Sequence, residues 1–278
     1  MRTRTHLARI TAATTALAAV AVFAAVPSSA APQQVEHHAQ AKAKAKPTIV
    51  LVHGAFADTS SWNGEITRLE QRGYNVIAAA TPLRGVAFDG AYIKALVDSV
   101  DGSVVLAAHS YGGSVITDAA LNDPKVQALV YIASFLPDQG ENALDITKKF
   151  PGSTLSASLQ QVALPGGETD LYVKQDLFPE LFAADIPLPQ ARQMAAGQRP
   201  VTATAVNEVS GAPAWKNIPV WDLIPTADNS IPLAAQEWMA ERAHAHTVVV
   251  RGAAHDVYVS HPDKVTDIIV AAADATTR

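Results

Sequence analysis

The chain has 278 residues, of which 49% are hydrophobic and 17% are charged, and its formal net charge at pH 7 is −5. This composition is typical of a globular protein with a sizeable core, and the weak negative charge argues against a nucleic-acid partner. The sequence contains no cysteine, which excludes disulfides, thiolate metal sites and cysteine nucleophiles.

The first thirty residues have the pattern of a secretory signal peptide. Met1 to Arg9 carries three arginines and no acid, and Ile10 to Val26 is apolar apart from scattered threonines. Small residues at Ser28-Ser29-Ala30 suit a signal peptidase. The apolar run is shorter than the ~20 residues that a bilayer span needs, so no stable membrane anchor is expected. We expect secretion by the general secretory route, because the twin-arginine pattern is absent, with cleavage after Ala30.

The next segment, from Ala31 to Lys46, contains Pro, Gln, His and an Ala-Lys alternation. Such a segment has too little apolar surface to offset the entropy lost on ordering. We therefore expect a flexible leader over residues 31–46 and one folded domain over residues 47–278.

After Pro47, short apolar segments alternate with amphipathic stretches. Strands that are apolar at consecutive positions, as in a sheet buried on both faces, are predicted at 48–52, 75–79, 103–107, 128–133, 218–224 and 247–251. Helices are predicted at 60–72, 91–100, 111–121, 233–243 and 261–273. This alternation implies right-handed crossovers, and hence a doubly wound α/β fold with a mainly parallel six-stranded sheet and helices on both faces.

Residues 137–213 break the alternation. Pro and Gly punctuate short helical patterns at 175–184 and 189–196, and no strand of the same apolar kind occurs there. A structureless loop of this length is uncommon in a compact domain. We expect an inserted helical lid over about 137–213.

Ser110 is the candidate nucleophile. It lies in Ala108-His109-Ser110-Tyr111-Gly112-Gly113, between a predicted strand and a predicted helix. A nucleophile on a sharp strand-to-helix turn needs small residues two positions before and after it, and Ala108 and Gly112 meet this need. The motif is G-x-S-x-G with alanine at the first glycine. A serine beside an ordinary glycine-rich turn is the alternative, which the strand-to-helix setting disfavours.

A serine nucleophile needs a histidine base and an acid that orients it. His255 precedes the last predicted helix and Asp228 follows the strand predicted at 218–224, in the chain order that this fold requires. Asp138 is the competing acid. Three other histidines compete with His255, namely His244, His246 and His261. The spacing of the first two would also suit a metal, but a surface role is favoured, and we expect no metal or organic cofactor.

The oxyanion of the tetrahedral intermediate needs two preorganised donors. One is the amide of Tyr111, which follows the nucleophile. The other is the amide of Ala55 in the loop after the first strand, where Gly54 would let the backbone approach the substrate. The expected substrate pocket is formed by Gly54, Phe56, Phe135 and Leu136.

Together these segments resemble the α/β-hydrolase superfamily, and within it the branch of plant hydroxynitrile lyases, plant methyl esterases and related bacterial esterases. The resemblance spans about residues 48–273. It rests on Leu51-Val52-His53-Gly54-Ala55-Phe56, Ser61-Trp62, Thr81-Pro82-Leu83-Arg84-Gly85, the Ser110 motif, Asp228 with Ile231-Pro232, and His255.

Two positions distinguish the members of this branch. The lyases place a threonine and a lysine where this chain has Gly54 and Asp256, whereas the esterases have glycine at the first position. The resemblance therefore implies a serine carboxylesterase that acts through an acyl-enzyme on Ser110. The apolar residues of the expected pocket indicate small to medium apolar esters as substrates. A cofactor-free haloperoxidase or a lactonase would use the same triad, and a ligand-binding protein of this fold without turnover is a further alternative.

Overall fold

The computed structural model describes residues 45–277, so the predicted signal peptide and all but two residues of the predicted leader lie outside the described residues. The strands are β1 (Thr48–Val52), β2 (Val76–Ala79), β3 (Val104–His109), β4 (Val126–Ile132), β5 (Leu159–Ala163), β6 (Thr169–Val173), β7 (Val201–Thr202), β8 (Val220–Pro225) and β9 (His246–Val250). The α-helices are α1 (Asn63–Gln71), α2 (Val86–Asp98), α3 (Tyr111–Ala119), α4 (Ala143–Lys149), α5 (Phe178–Phe182), α6 (Leu188–Gly197), α7 (Ala203–Asn207), α8 (Leu233–Arg242), α9 (Val257–Ser260) and α10 (Pro262–Ala275).

Six strands form the main sheet in the order β2-β1-β3-β4-β8-β9, and every neighbouring pair is parallel. The predicted doubly wound α/β fold with a six-stranded parallel sheet is thereby confirmed. The chain extends the sheet to one side of β1 with β2 and to the other side with β3, so the strand order reverses between β1 and β3. Ligands of such sheets bind in the crevice at the carboxyl ends of the strands, at this reversal.

Both faces of the sheet are buried because successive side chains of each strand point to opposite faces. Val50 and Leu106 belong to one core with residues of α2, α3 and α8. Ile49 and Val105 belong to the other core with residues of α1, α9 and α10. This two-sided burial explains why the strands are apolar at consecutive positions.

The insertion between β4 and β8 differs from the helical lid that the sequence predicts. Besides α4 to α7 it contains a second sheet of three antiparallel strands in the order β5-β6-β7. The apolar pattern misses these strands because most of β5 is exposed and β7 has only two residues. Gly166 and Gly167, both at φ +93°, form the turn between β5 and β6, a conformation that glycine adopts without a steric penalty.

Among residues 45–277, no helix has the length and apolar character that crossing a membrane requires.

Candidate active site

Ser110 lies on a strained turn between β3 and α3. Its φ is +52°, which is unfavourable for a residue with a side chain, and this strain is typical of a nucleophile on a strand-to-helix turn. Three donors hold its carbonyl oxygen: the Gly113 amide at 3.0 Å, the Phe135 amide at 3.2 Å and the Ser134 hydroxyl at 2.7 Å. The turn is therefore anchored to the segment that follows β4.

Close approach of the backbone explains the small residues around Ser110. A Cβ atom on Gly112 would lie 2.8 Å from the carbonyl oxygen of Val52 and 2.9 Å from that of His53. A Cβ atom on Gly54 would lie 2.7 Å from the Cβ of Ser110. Glycine at both positions lets the loop after β1 pack directly against the serine turn.

Ser110, His255 and Asp228 form a continuous hydrogen-bonded chain. The Ser110 hydroxyl lies 3.0 Å from Nε2 of His255, and Nδ1 of His255 lies 2.8 Å from Oδ2 of Asp228. The side chains of His255 and Asp228 are fully buried. Burial by itself lowers the pKa of His255, but the charge and hydrogen bond of Asp228 outweigh it and raise the pKa above its usual value. This arrangement orients Nε2 to accept the serine proton.

Asp228 is held by further donors that the sequence analysis did not identify. Its Oδ1 accepts hydrogen bonds from the amides of Ser230 at 2.7 Å and Ile231 at 2.9 Å. Its Oδ2 also accepts one from the side-chain amide of Gln236 on α8, at 2.9 Å. The competing acid, Asp138, is instead paired with Lys216, with 2.6 Å between the Lys216 Nζ and its Oδ1.

His109 contacts the catalytic histidine, His255, through buried groups, and it does not line the cavity beside Ser110. Its ring is fully buried, stacks on Tyr258 with 4.1 Å between ring centroids, and lies 4.7 Å from the ring of His255. Its Nε2–H donates to the carbonyl oxygen of His255 at 3.1 Å. Burial, reinforced by the nearby His255, lowers the pKa of His109 well below its usual value. A neutral His109 therefore fixes the backbone of His255, so it is a positioning residue.

Ala55 and Tyr111, whose amides are the two predicted oxyanion donors, lie far apart in the chain but line the same cavity. Within residues 45–277, the amides of Ala55 and Tyr111 donate no hydrogen bond, so both are free for a ligand. The loop that carries Ala55 is fixed by the next residue, Phe56, whose amide donates to the carbonyl oxygen of Arg199 at 3.0 Å. Phe56 has φ +62°, and this strain directs the backbone around the serine.

His53 supports the same loop. Its Nδ1–H donates to the carbonyl oxygen of Gly54 at 2.9 Å, and its Nε2 lies 3.5 Å from Nη1 of Arg199. Burial, with a smaller contribution from the charge of Arg199, lowers the pKa of His53 to about 4. The ring is therefore neutral at pH 7 and can accept from the guanidinium.

An apolar cavity of about 60 Å³ lies beside Ser110. Of the residues predicted to form it, Phe56 and Phe135 do so. Gly54 and Leu136 do not: Gly54 faces the serine turn, and Leu136 is fully buried in the core with its amide 3.2 Å from the sulfur of Met239. The insertion supplies most of the other walls, with Ala143, Leu144, Thr147, Leu155, Ser156, Leu159, Leu171, Phe182 and Val206.

The other candidate histidines lie away from this cavity. His246 begins β9 and packs against Trp221, with 4.9 Å between ring centroids. His261 lies between α9 and α10, and its Nδ1 is 3.6 Å from Oδ2 of Asp185. Within the described part of the chain, no group of three or more His, Cys, Asp or Glu side chains is arranged to hold a metal ion.

Comparison with known proteins agrees with this fold. Residues 49–268 match the model of the alpha/beta hydrolase family. The chain is 27% identical to a pyrethroid hydrolase of Sphingobium wenxiniae, over 82% of this chain and 88% of that protein. It is 25% identical to salicylic acid-binding protein 2 of Nicotiana tabacum, over 77% and 92%. The crystal structure of polyneuridine aldehyde esterase superposes with a TM-score of 0.70 at 18% identity, over 82% of this chain and 99% of that chain, which shows a shared fold.

Proposed function

This chain belongs to the alpha/beta hydrolase family and is a carboxylic ester hydrolase, and we propose that it cleaves small to medium esters with an apolar acyl group through an acyl-enzyme on Ser110. The observation that carries the proposal is the chain of hydrogen bonds from Ser110 through His255 to Asp228, buried beside an apolar cavity. The names of relatives support the class, since they include a pyrethroid hydrolase and a carbendazim hydrolyzing esterase.

The reaction follows from the positions of these groups. His255 takes the proton of the Ser110 hydroxyl at Nε2 while the oxygen attacks the ester carbonyl. The developing oxyanion is stabilised by the free amides of Ala55 and Tyr111. His255 then gives the proton to the departing alcohol oxygen, and a water molecule, activated by the same nitrogen, releases the acid from Ser110. Asp228 stabilises the charged imidazole throughout.

The size of the cavity supports a preference for short acyl groups. Its walls are mainly apolar, with four leucines and three phenylalanines among them, and they favour an apolar ligand. Its volume of about 60 Å³ leaves room for only a few carbon atoms. We expect kcat/KM to be higher for p-nitrophenyl acetate and butyrate than for p-nitrophenyl octanoate.

Replacement of the nucleophile tests the proposal. We expect Ser110→Ala to lose at least about 10³-fold in kcat on p-nitrophenyl butyrate, and not to react with a fluorophosphonate probe that labels the wild type. The matched control is Ser99→Ala, at a position where α2 ends, which should keep both properties. Equal turnover by wild type and Ser110→Ala would refute the serine mechanism. Failure of the wild type to hydrolyse any ester or to be labelled would favour a ligand-binding role.

Export is a further part of the proposal, supported by the arginine-rich start and apolar run of Met1 to Ala30. Expression of the full chain in a bacterium with a general secretory pathway should yield protein outside the cytoplasm whose first residue is Ala31. N-terminal sequencing of the exported protein measures this, and retention of Met1 on cytoplasmic protein would contradict it.

A further inference from the structure

A second cavity, of about 380 Å³, adjoins the first and is unlike it in chemistry. Ala55, Phe56 and Phe182 line both cavities, so the two cavities adjoin at these residues. The second cavity opens to solvent between exposed residues of α6 and of the segment around Ser60. Ala55 carries one of the two expected oxyanion donors, so the second cavity adjoins the place where the ester carbonyl would bind.

The charged groups that line the second cavity are all acidic. They are Asp58 and Asp256, and among the described residues no lysine, arginine or histidine lines it. Asp256 is 2% exposed, and its Oδ2 has no hydrogen-bond partner within residues 45–277. A buried carboxylate oxygen without a partner carries a desolvation cost that a bound positive group would offset.

Aromatic rings form the inner wall of this cavity. The rings of Phe178 and Phe182 stack with 5.2 Å between centroids, and Phe56 meets Phe182 edge to face at 5.6 Å. Tyr258 lines the same cavity. Aromatic faces together with carboxylates are the surroundings that a substituted ammonium group prefers, because the ring faces attract the cation and its alkyl groups bury apolar surface.

The position of the cavity relative to His255 indicates which part of the ester it receives. Asp256 directly follows His255, and the ring of Phe182 lies edge-on to that of His255 at 4.7 Å. His255 must hand its proton to the leaving alcohol oxygen, so the alcohol lies on the histidine side of Ser110. Ser110 lines only the smaller cavity, so the acyl group that remains on Ser110 lies there, and the alcohol leaves towards the larger one.

We propose that the cavity lined by Asp58, Asp256 and the aromatic rings binds an ammonium group carried by the alcohol part of the ester. This inference rests on the proposed esterase function and narrows its substrates to esters of cationic amino alcohols. In turnover, the Ser110 oxygen bonds to the acyl carbon, the bond from that carbon to the alcohol oxygen breaks, and the proton from Ser110 leaves on the alcohol through His255.

The ionisation of Asp256 sets the conditions of the test. Burial raises the pKa of Asp256 to about 7, opposed by His255 and reinforced by Asp228 and Asp185. Two more ionisable groups face this carboxyl, His109 with its Nε2 3.9 Å from Oδ1 and the phenol of Tyr258. Measurements at pH 8 therefore keep most of the Asp256 carboxyl ionised.

The experiment compares two esters of equal shape on the full chain: acetylcholine, and 3,3-dimethylbutyl acetate, in which carbon replaces the charged nitrogen. We expect wild-type kcat/KM at pH 8 to be roughly tenfold higher for acetylcholine, and Asp256→Asn to reduce this ratio to about twofold or less. Asp58→Asn, at a half-buried position, should also lower the ratio and serves as the second variant if Asp256→Asn does not fold. The control is Asp98→Asn, which removes an exposed carboxylate far from the cavity and should keep the wild-type ratio.

Two outcomes separate this inference from the proposed function. Equal wild-type kcat/KM on the two esters would overturn the cation site while leaving the esterase intact. If neither ester is hydrolysed, calorimetry with tetramethylammonium tests directly whether the cavity binds a cation. Binding that is weakened in Asp58→Asn and Asp256→Asn supports the site, and no binding to the wild type overturns it.

Discussion

A methyl group added at Gly54 should impair catalysis more than stability. The new Cβ of Gly54→Ala would lie 2.7 Å from the Cβ of Ser110 and 3.0 Å from the carbonyl oxygen of His109. Since carbon atoms prefer a separation of about 3.5–4.0 Å, the loop and the serine turn must separate by about 1 Å. The serine turn is anchored by three hydrogen bonds to the Ser110 carbonyl, so the movement falls on the loop that carries Ala55.

This displacement moves an oxyanion donor away from the reacting carbonyl. A shift of about 1 Å at such a group costs on the order of 10²-fold in rate, while overpacking costs about 1–3 kcal/mol in the free energy of unfolding. We therefore expect kcat/KM of Gly54→Ala on p-nitrophenyl acetate to fall about 100-fold, measured together with urea unfolding. In the control, Gly211→Ala, the nearest atom to the new Cβ is Oδ1 of Asp118 at 3.5 Å. If the two variants have kcat/KM within twofold of each other, the packing argument is wrong.

Three further predictions concern ionisable groups. Asp228→Asn should reduce kcat about 10³- to 10⁴-fold on p-nitrophenyl acetate, whereas Asp138→Asn, which loses only its pair with Lys216, should stay within twofold of the wild type. The pH profile of kcat/KM should fall on the acid side with a midpoint above 6.5, because the pKa of His255 is raised and its protonated ring cannot accept the serine proton. A midpoint below 6.5 would contradict the pairing of His255 with Asp228. Glu65 is fully buried, its carboxyl oxygens have no partner within residues 45–277, and burial raises its pKa to about 9. The folded state therefore retains a proton that the unfolded state loses above about pH 4.5, so Glu65 lowers stability as pH rises from about 4.5 to 9. In urea titrations, the free energy of unfolding of the wild type should fall from pH 5 to pH 8, and that of Glu65→Gln should fall less, the difference being on the order of several kcal/mol. Parallel pH dependences in the two proteins would show that Glu65 is ionised when folded.

The sequence by itself predicts the sheet and the order of the triad. Segments such as 48–52 are apolar at consecutive positions because both faces of a parallel strand are buried, and that pattern is local. The motif around Ser110 is local too, because the sharp turn brings the backbones of its neighbours together. The carboxyl ends of parallel strands share one edge of the sheet, so side chains after β3, β8 and β9 could be expected to meet even though they lie far apart in the chain.

The tertiary structure alone decides which acid reaches His255 and what surrounds Ser110. Asp138 and Asp228 both follow strands of the sheet, and only the packing of the loop after β8 against α8 brings Asp228 within 2.8 Å of the imidazole. The walls of the smaller cavity come largely from the insertion, whose strands are short or exposed and leave no apolar run in the sequence. The contacts of His109 with His255 and of Asp256 with the second cavity depend on neighbours distant in the chain, and residue spacing carries no information about such contacts.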